Sequence, residues 1–426
     1  MKDTSEPPER GFLVGLDQPR ARFDADDSLD ELASLVEAAG GVVAGRTVQQ
    51  RRAPDPNTWV GKGKAAEILA ECTRLRADLV VCDDELAPRQ QRGLEGVVTG
   101  RRVVDRSELI LDIFARHART KEGRVQVEVA QLEYQLPRLR GIWKGLSRLG
   151  GGIGTRGPGE TKLETDRRRL RARISRLQKD IANMSTGRKV QRGQRHRRDV
   201  PSVVIAGYTN AGKSSLLNVL TGAGVLVEDA LFATLDPAVR RAVTPSGRAY
   251  TLTDTVGFVR HLPHQLVDAF RSTLEESAEA DLIVHVVDGS DAEPEAQIAA
   301  VRGVLAEIGA AQVPELVVVN KIDSADPVVL QGLRAREPGS LSVSAKTGAG
   351  LPALRDAIEA ALPRLDVQVK VTVPYSRGDL LARAHAEGEV LTADHVADGT
   401  LLEARVPPGL AAQLDAALDD CVQVRA

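Results

Sequence analysis

The chain has 426 residues, 42% of them hydrophobic and 27% charged, which suits a water-soluble protein of two to four domains. No apolar run approaches the ~20 residues of a bilayer span, and Met1–Arg10 lacks the apolar core of a secretion signal, so a cytoplasmic protein without stable membrane insertion is expected. The net charge of −2 conceals a block: residues 167–198 hold 11 Arg and 2 Lys against Asp180 alone, netting +12 and leaving −14 elsewhere, the mark of a localised polyanion contact.

Residues 1–11 read as a flexible N-terminus, and 12–122 as an N-terminal α/β domain. Phe12-Leu13-Val14, Val42-Val43-Ala44, Leu79–Cys82 and Val103-Val104 have the character of short buried strands. Helical stretches alternate with them, which predicts a mostly parallel sheet. Ser28 marks the start of the first helix, Leu29, Leu32 and Leu35 its buried face, and Gly40-Gly41 its stop. Gly61-Lys62-Gly63-Lys64 invites a second phosphate site but lacks the full loop, so a turn before a helix is expected. Cys72, Cys82 and Cys421 are too few and too scattered for a disulfide framework or a metal cluster.

Residues 123–198 predict an antiparallel helical hairpin with a Gly-rich loop. Val129, Leu132, Leu136 and Leu139 form one seam, interrupted at Pro137. Leu163, Leu170, Ile174, Leu177, Ile181 and Met184 form the other, with arginine over much of the remaining surface. Gly187 is expected to end the second helix, leaving 188–199 as a linker. The joining loop, Gly150–Thr161, holds six glycines between Gly150 and Gly159. It is a mere connector or a contact loop; Trp143, Lys144, Arg148 and Arg156 suit the second, close to a phosphate backbone.

Residues 199–365 predict a P-loop G domain. Gly207-Tyr208-Thr209-Asn210-Ala211-Gly212-Lys213-Ser214 fits G-x-x-x-x-G-K-S between the strand-like Val203–Ala206 and the helix-like Ser215–Leu220. Backbone N–H groups of such a loop cradle phosphates, Lys213 reaches the β- and γ-phosphates, and Ser214 sits on Mg²⁺. Phe232-Ala233-Thr234-Leu235-Asp236 offers Thr234 as a switch ligand to Mg²⁺. A hairpin turning at Pro245-Ser246-Gly247 leads to Asp254-Thr255-Val256-Gly257, where Asp254 would hold Mg²⁺ through water and the Gly257 N–H would meet the γ-phosphate. Asn320-Lys321-Ile322-Asp323 follows a strand-like run, and a carboxylate there accepts from both guanine N1–H and the exocyclic amine. Ser344-Ala345-Lys346 would supply an N–H to guanine O6.

Phe258 occupies the position where a glutamine would orient the attacking water. That leaves a nucleotide-storage site, or a different catalytic element. Asn210 suits a K⁺ ion held against the phosphates, and His261 or His264 could position water. Lys213, Thr234, Gly257 and Asn210 are thus the expected catalytic set. Residues 366–426 predict a small C-terminal α+β module: strand Val367–Val373, helix Gly378–Glu387, strands near Val390 and at Leu401–Val406, helix Gly409–Leu418.

The whole layout resembles the HflX family of GTPases. The run Gly150–Asp166 is its most specific element. The phosphate loop down to Tyr208-Thr209, Asp254-Thr255-Val256-Gly257-Phe258, and Pro374-Tyr375-Ser376-Arg377-Gly378 are similar to the family's segments. The resemblance implies a Mg²⁺-dependent GTPase that binds GTP and GDP, contacts the large (50S) ribosomal subunit and its rRNA, and serves ribosome splitting, rescue or assembly. Alternatives are a GTP-regulated RNA-binding biogenesis factor and a non-hydrolysing scaffold. Aromatic residues at 3% leave little for base stacking, so structured RNA read by phosphate and shape is expected, with Arg148, Arg156, Arg168, Arg171 and Arg176 as contacts. A monomer is expected.

Overall fold

The computed structural model describes residues 7–19, 24–141, 158–196, 200–222, 231–232, 238–255, 257–259, 277–363, 367–407 and 409–415. Four strands near the N-terminus, β1 (Arg10–Asp17), β2 (Val42–Gln50), β3 (Leu79–Cys82) and β4 (Arg102–Asp105), form an all-parallel sheet in the order β2-β1-β3-β4. Helices α1 (Ala25–Ala38), α2 (Lys62–Leu75), α3 (Pro88–Val97) and α4 (Arg106–His117) cover it. Asp24, not Ser28, caps α1: its side chain accepts from the Asp26 N–H, and Ser28 is buried in the second turn. Lys62 and Lys64 lie inside the first turn of α2, so Gly61-Lys62-Gly63-Lys64 opens a helix.

Helix α5 (Lys121–Gln135) stops just before Pro137, and a 3₁₀ turn, Arg138–Gly141, follows. Helix α6 runs from Pro158 to His196. It therefore begins inside the glycine loop expected to reach Thr161, and it passes through Gly187, which does not end it. A helical glycine costs only about 1 kcal/mol relative to alanine, and the lysine, arginine and glutamine around it are good helix formers. Much of the expected 188–199 linker is thus helix.

Helices α5 and α6 pack against each other. Val129, Ile174 and Leu177 are buried between them, with Val125, Leu132, Leu136 and Ile181 alongside. Glu128 meets Arg173 at 2.7 Å on one flank of the seam, and Glu133 meets Gln178 at 3.0 Å on the other.

The G domain is a six-stranded sheet in the order β10-β9-β8-β5-β7-β6. Its strands are β5 (Ser202–Gly207), β6 (Ala238–Val243), β7 (Ala249–Asp254), β8 (Leu282–Asp288), β9 (Glu315–Asn320) and β10 (Leu341–Ser342). Only β6 runs antiparallel, in the hairpin that turns at Gly247. Val203, Val204, Ile205 and Ala206 are all fully buried, as a central parallel strand covered on both faces requires. The helices are α7 (Lys213–Thr221), α8 (Pro294–Glu307), α9 (Pro327–Arg336) and α10 (Leu351–Ala361).

At the C-terminus β11 (Val367–Val373), β12 (Glu389–Val396) and β13 (Gly399–Val406) form an antiparallel sheet in the order β11-β13-β12. Its buried face, including Val371, Val373, Leu402 and Ala404, packs on α11 (Gly378–Glu387) and on Leu410 and Leu414 of the helical stretch 409–415.

One core joins the first two α/β bodies. Leu29, Leu32, Ile110 and Phe114 of the N-terminal body share a buried cluster with Tyr208, Phe232, Phe258, Val301 and Leu305 of the G domain. The Phe114 and Phe232 rings meet edge-on, centroids 4.6 Å apart.

Candidate nucleotide site

Residues 207–214 bridge the C-terminal end of β5 and the first turn of α7, where backbone N–H groups and the helix dipole favour an anion. Asn210 is exposed and left-handed, with φ +59°. Gly212 has φ +89°, and a Cβ there would stand 2.3 Å from Asn320 Nδ2, so the position requires glycine. Lys213 is buried, and its Nζ donates to the Tyr208 carbonyl at 2.7 Å. Burial pushes its ammonium down to about 8, against the pull of the Asp254 carboxylate.

Ser214 Oγ donates to Asp254 Oδ2 at 2.7 Å. A hydroxyl facing a carboxylate, with only oxygen donors, fits a small hard cation such as Mg²⁺, which retains water and takes other ligands from phosphate. Among the described residues no cluster of three or more His, Cys, Asp or Glu could hold a metal by itself.

Gly257 closes over the loop. A Cβ there would lie 2.7 Å from Thr209 Cγ2 and 2.9 Å from Lys213 Nζ. The Thr209 N–H donates to the Phe258 carbonyl at 2.7 Å, and the Phe258 N–H to the Gly207 carbonyl at 3.2 Å. Thr255 Oγ1 donates to the Ile205 carbonyl at 2.8 Å, tying the end of β7 to β5.

The base-side loops meet the phosphate loop through one buried residue. Asn320 Nδ2 donates to the Ala211 carbonyl at 2.9 Å, and Asn320 Oδ1 accepts from the Ala345 N–H at 3.0 Å. Ile322 donates its N–H to the Val343 carbonyl. Ser344 Oγ donates to the exposed Asp323 at 2.6 Å, and this bond holds the carboxyl below its ordinary range. Lys321 Nζ lies 2.8 Å from Asp288 Oδ2, and Lys346 is exposed beside them.

Ala233, Thr234, Leu235, Asp236, Val256, His261 and His264 lie outside the described residues, as do Trp143, Lys144, Arg148, Arg156 and Cys421. Phe232 is buried against Phe114. Arg168, Arg171 and Arg176 are exposed along α6, and Arg168 pairs with Glu164 at 3.3 Å. Cys72 and Cys82 are free and buried, and burial pushes the Cys72 thiol up to about 11.

One residue that no sequence signal marks, Glu31, reaches the loop from the N-terminal body, and two more, Arg106 and Asp83, stand behind it. Tyr208 Oη donates to Glu31 Oε2 of α1 at 2.7 Å. Glu31 also pairs with Arg106, which is 1% exposed and donates to Asp83 Oδ1 at 2.6 Å. Burial pushes the Asp83 carboxyl up to about 6, with Arg106 pulling it the other way.

A phosphate loop on β5, an Asp-x-x-Gly turn after β7 and an Asn-Lys-x-Asp loop after β9 define a P-loop GTPase carrying additional N-terminal, helical and C-terminal modules. Residues 26–115 match the family model described as GTP-binding GTPase N-terminal, 117–195 the GTP-binding GTPase middle region, and 202–321 the 50S ribosome-binding GTPase. The GTPase HflX of Lacrimispora saccharolytica is 46% identical over 392 residues, 92% of each chain. That of Caldanaerobacter subterraneus is 44% identical over 406 residues, 95% of this chain and 93% of its own. A GTP-binding protein from Sulfolobus solfataricus, solved in complex with GDP, is 26% identical with a TM-score of 0.42, covering 83% of this chain and 98% of that one. The chain belongs to the HflX family of GTPases. Among the described residues no helix is long and apolar enough to cross a membrane.

Proposed function

We propose that this GTPase is a Mg²⁺-dependent switch in the cytoplasm that docks on the large ribosomal subunit and serves ribosome splitting, rescue or assembly. GTP and GDP bind over 207–214, 254–257, 320–323 and 344–346. Lys213 would neutralise β- and γ-phosphate charge, Ser214, Thr234 and Asp254 would hold Mg²⁺, with Asp254 acting through water, and Asp323 would read guanine. Asn210 would hold a K⁺ ion against the phosphates, and that ion would supply further positive charge there.

The observation that carries the docking is the exposed arginine surface of α6. The helix buries its Ile174–Leu177 seam on α5 while Arg168, Arg171 and Arg176 remain in solvent. Two relations support the partner: residues 202–321 match a family described as 50S ribosome-binding, and the +12 block suits a phosphate backbone.

Co-sedimentation with purified large subunits, under GDP and under a non-hydrolysable GTP analogue, tests it. Binding is expected to be stronger with the analogue. Log affinity should fall with log salt at about −0.7 to −0.9 per phosphate contact. Reversing Arg168, Arg171 and Arg176 to Glu should weaken binding and flatten that slope while nucleotide affinity stays unchanged. Wild-type affinity and slope in the triple variant would move the contact off this face.

A further inference from the structure

Phe258 follows the glycine that closes over Lys213, and its ring is 2% exposed, buried in the cluster shared with the N-terminal body. A phenyl ring offers no hydrogen bond to water, and this one is packed away from solvent. The hydrolytic water therefore needs another oxygen near the γ-phosphate end of the loop.

Four buried side-chain hydroxyls find no hydrogen-bond partner among the described residues: Ser107, Thr209, Ser277 and Ser340. Only Thr209 stands in the phosphate loop. Leaving such a group unsatisfied costs about 1–3 kcal/mol, which points to a ligand that completes it. Thr209 is 6% exposed and fixed in place by the bond from its N–H to the Phe258 carbonyl. Its methyl carbon and Lys213 Nζ converge on one point beside Gly257, 2.7 and 2.9 Å from where a Cβ would be. Thr209 also lines a cavity of about 310 Å³, together with Asn210 and with Asp27, Asp30 and Glu31 of α1.

We propose that Thr209 positions the water that attacks the γ-phosphorus. The inference rests on the phosphate-loop reading of residues 207–214. A threonine hydroxyl has one donor and two acceptor positions. Oγ1 accepts a hydrogen bond from the water and donates its own O–H to a γ-phosphate oxygen, which sets the water against the phosphorus. The water oxygen then forms the new P–O bond. The bond from the γ-phosphorus to the bridging oxygen breaks, and its electron pair leaves on GDP. The attacking water's proton passes to an oxygen of the departing phosphate. Thr209 keeps its own proton and ends as it began; it acts by orientation rather than as a base.

Thr209→Val keeps the shape and removes the hydroxyl, and Thr209→Ser keeps the hydroxyl. Single-turnover GTP hydrolysis is measured beside the affinity for fluorescent GDP and for a non-hydrolysable GTP analogue. The valine variant should hydrolyse roughly 10- to 100-fold more slowly, the worth of one hydrogen bond to a charged transition state, with analogue affinity lowered by the lost bond to the γ-phosphate and GDP affinity falling far less than the rate. Serine should restore most of the rate. Wild-type hydrolysis by Thr209→Val overturns the proposal. So does equal loss in both variants, or a fall in GDP affinity that parallels the fall in rate, since threonine would then only shape the loop. Thr209→Ala applies the same split should valine fail to fold. Failure of wild-type protein to bind GDP would instead remove the phosphate-loop reading, a separate result.

Discussion

Lys213 titrates in the range where nucleotide binding is measured, so its proton is a handle on the phosphate site. Burial lowers its ammonium from 10.5 to about 8. That difference amounts to about 3 kcal/mol in favour of the neutral amine. Between pH 8 and 10.5 the unfolded chain holds the extra proton, so the stability of the nucleotide-free protein rises with pH across that window. Nucleotide reverses the preference, because phosphate oxygens at the ammonium favour its charged form. GTP affinity is then full below pH 8 and requires proton uptake above it. With a single site at that value, affinity should fall about fourfold from about pH 7 to about pH 8.5, with uptake of roughly 0.8 proton at the upper end. The guanine N1–H stays largely intact over that range. Titration calorimetry in two buffers of different ionisation enthalpy counts the protons directly. A flat affinity with no proton exchange would refute the reasoning and show that Lys213 is charged in the empty site or is not at the phosphates.

Three further outcomes follow from the same geometry. Asp323→Asn should weaken GTP binding by roughly 100-fold and turn preference toward xanthosine triphosphate, because the amide replaces one of two paired acceptors with a donor; competition against fluorescent GDP measures it, and unchanged GTP affinity would take Asp323 out of the base site. Turnover should be faster in K⁺ than in Na⁺ at equal ionic strength, and Asn210→Ala should abolish the difference; equal rates in the two salts would end the monovalent-cation assignment. Arg106→Met removes the guanidinium that Glu31 and Asp83 both face, and should cost about 3–5 kcal/mol. An unaltered melting temperature would show that this ion cluster does not hold the fold.

The bond from Tyr208 to Glu31 gives the phosphate loop a direct contact with the N-terminal sheet domain. The second residue of the loop is held by a helix from another body, and the cluster behind it includes Phe258 and Phe232 from the two segments proposed to flank the γ-phosphate. A chemical event at the loop therefore occurs in a core that both bodies share, and closely packed interiors transmit displacement rather than absorb it.

The amino-acid sequence by itself determined the parts whose chemistry is local. A phosphate cradle needs consecutive residues, so Gly207 to Ser214 announces itself within one octapeptide, and the same is true of Asn320 to Asp323. The central strands were equally legible, since Val203–Ala206 is buried on both faces and must be apolar throughout. The α5–α6 seam could be read from its period, because a shared stripe leaves the same residues buried whichever helix is considered. Helix ends were less legible: Ser28 and Gly187 carry end signals that Asp24 and a run of good helix formers override. The tertiary structure alone decided what joins segments far apart. Tyr208 and Glu31 are 177 residues apart and carry no mutual signal, and Arg106 looks like any helical arginine until two carboxylates close on it. Nor does the identity of Phe258 or Thr209 say which way each side chain is buried. That depends on two domains meeting at the loop, and such burial is a property of the assembled core that no single stretch of chain contains.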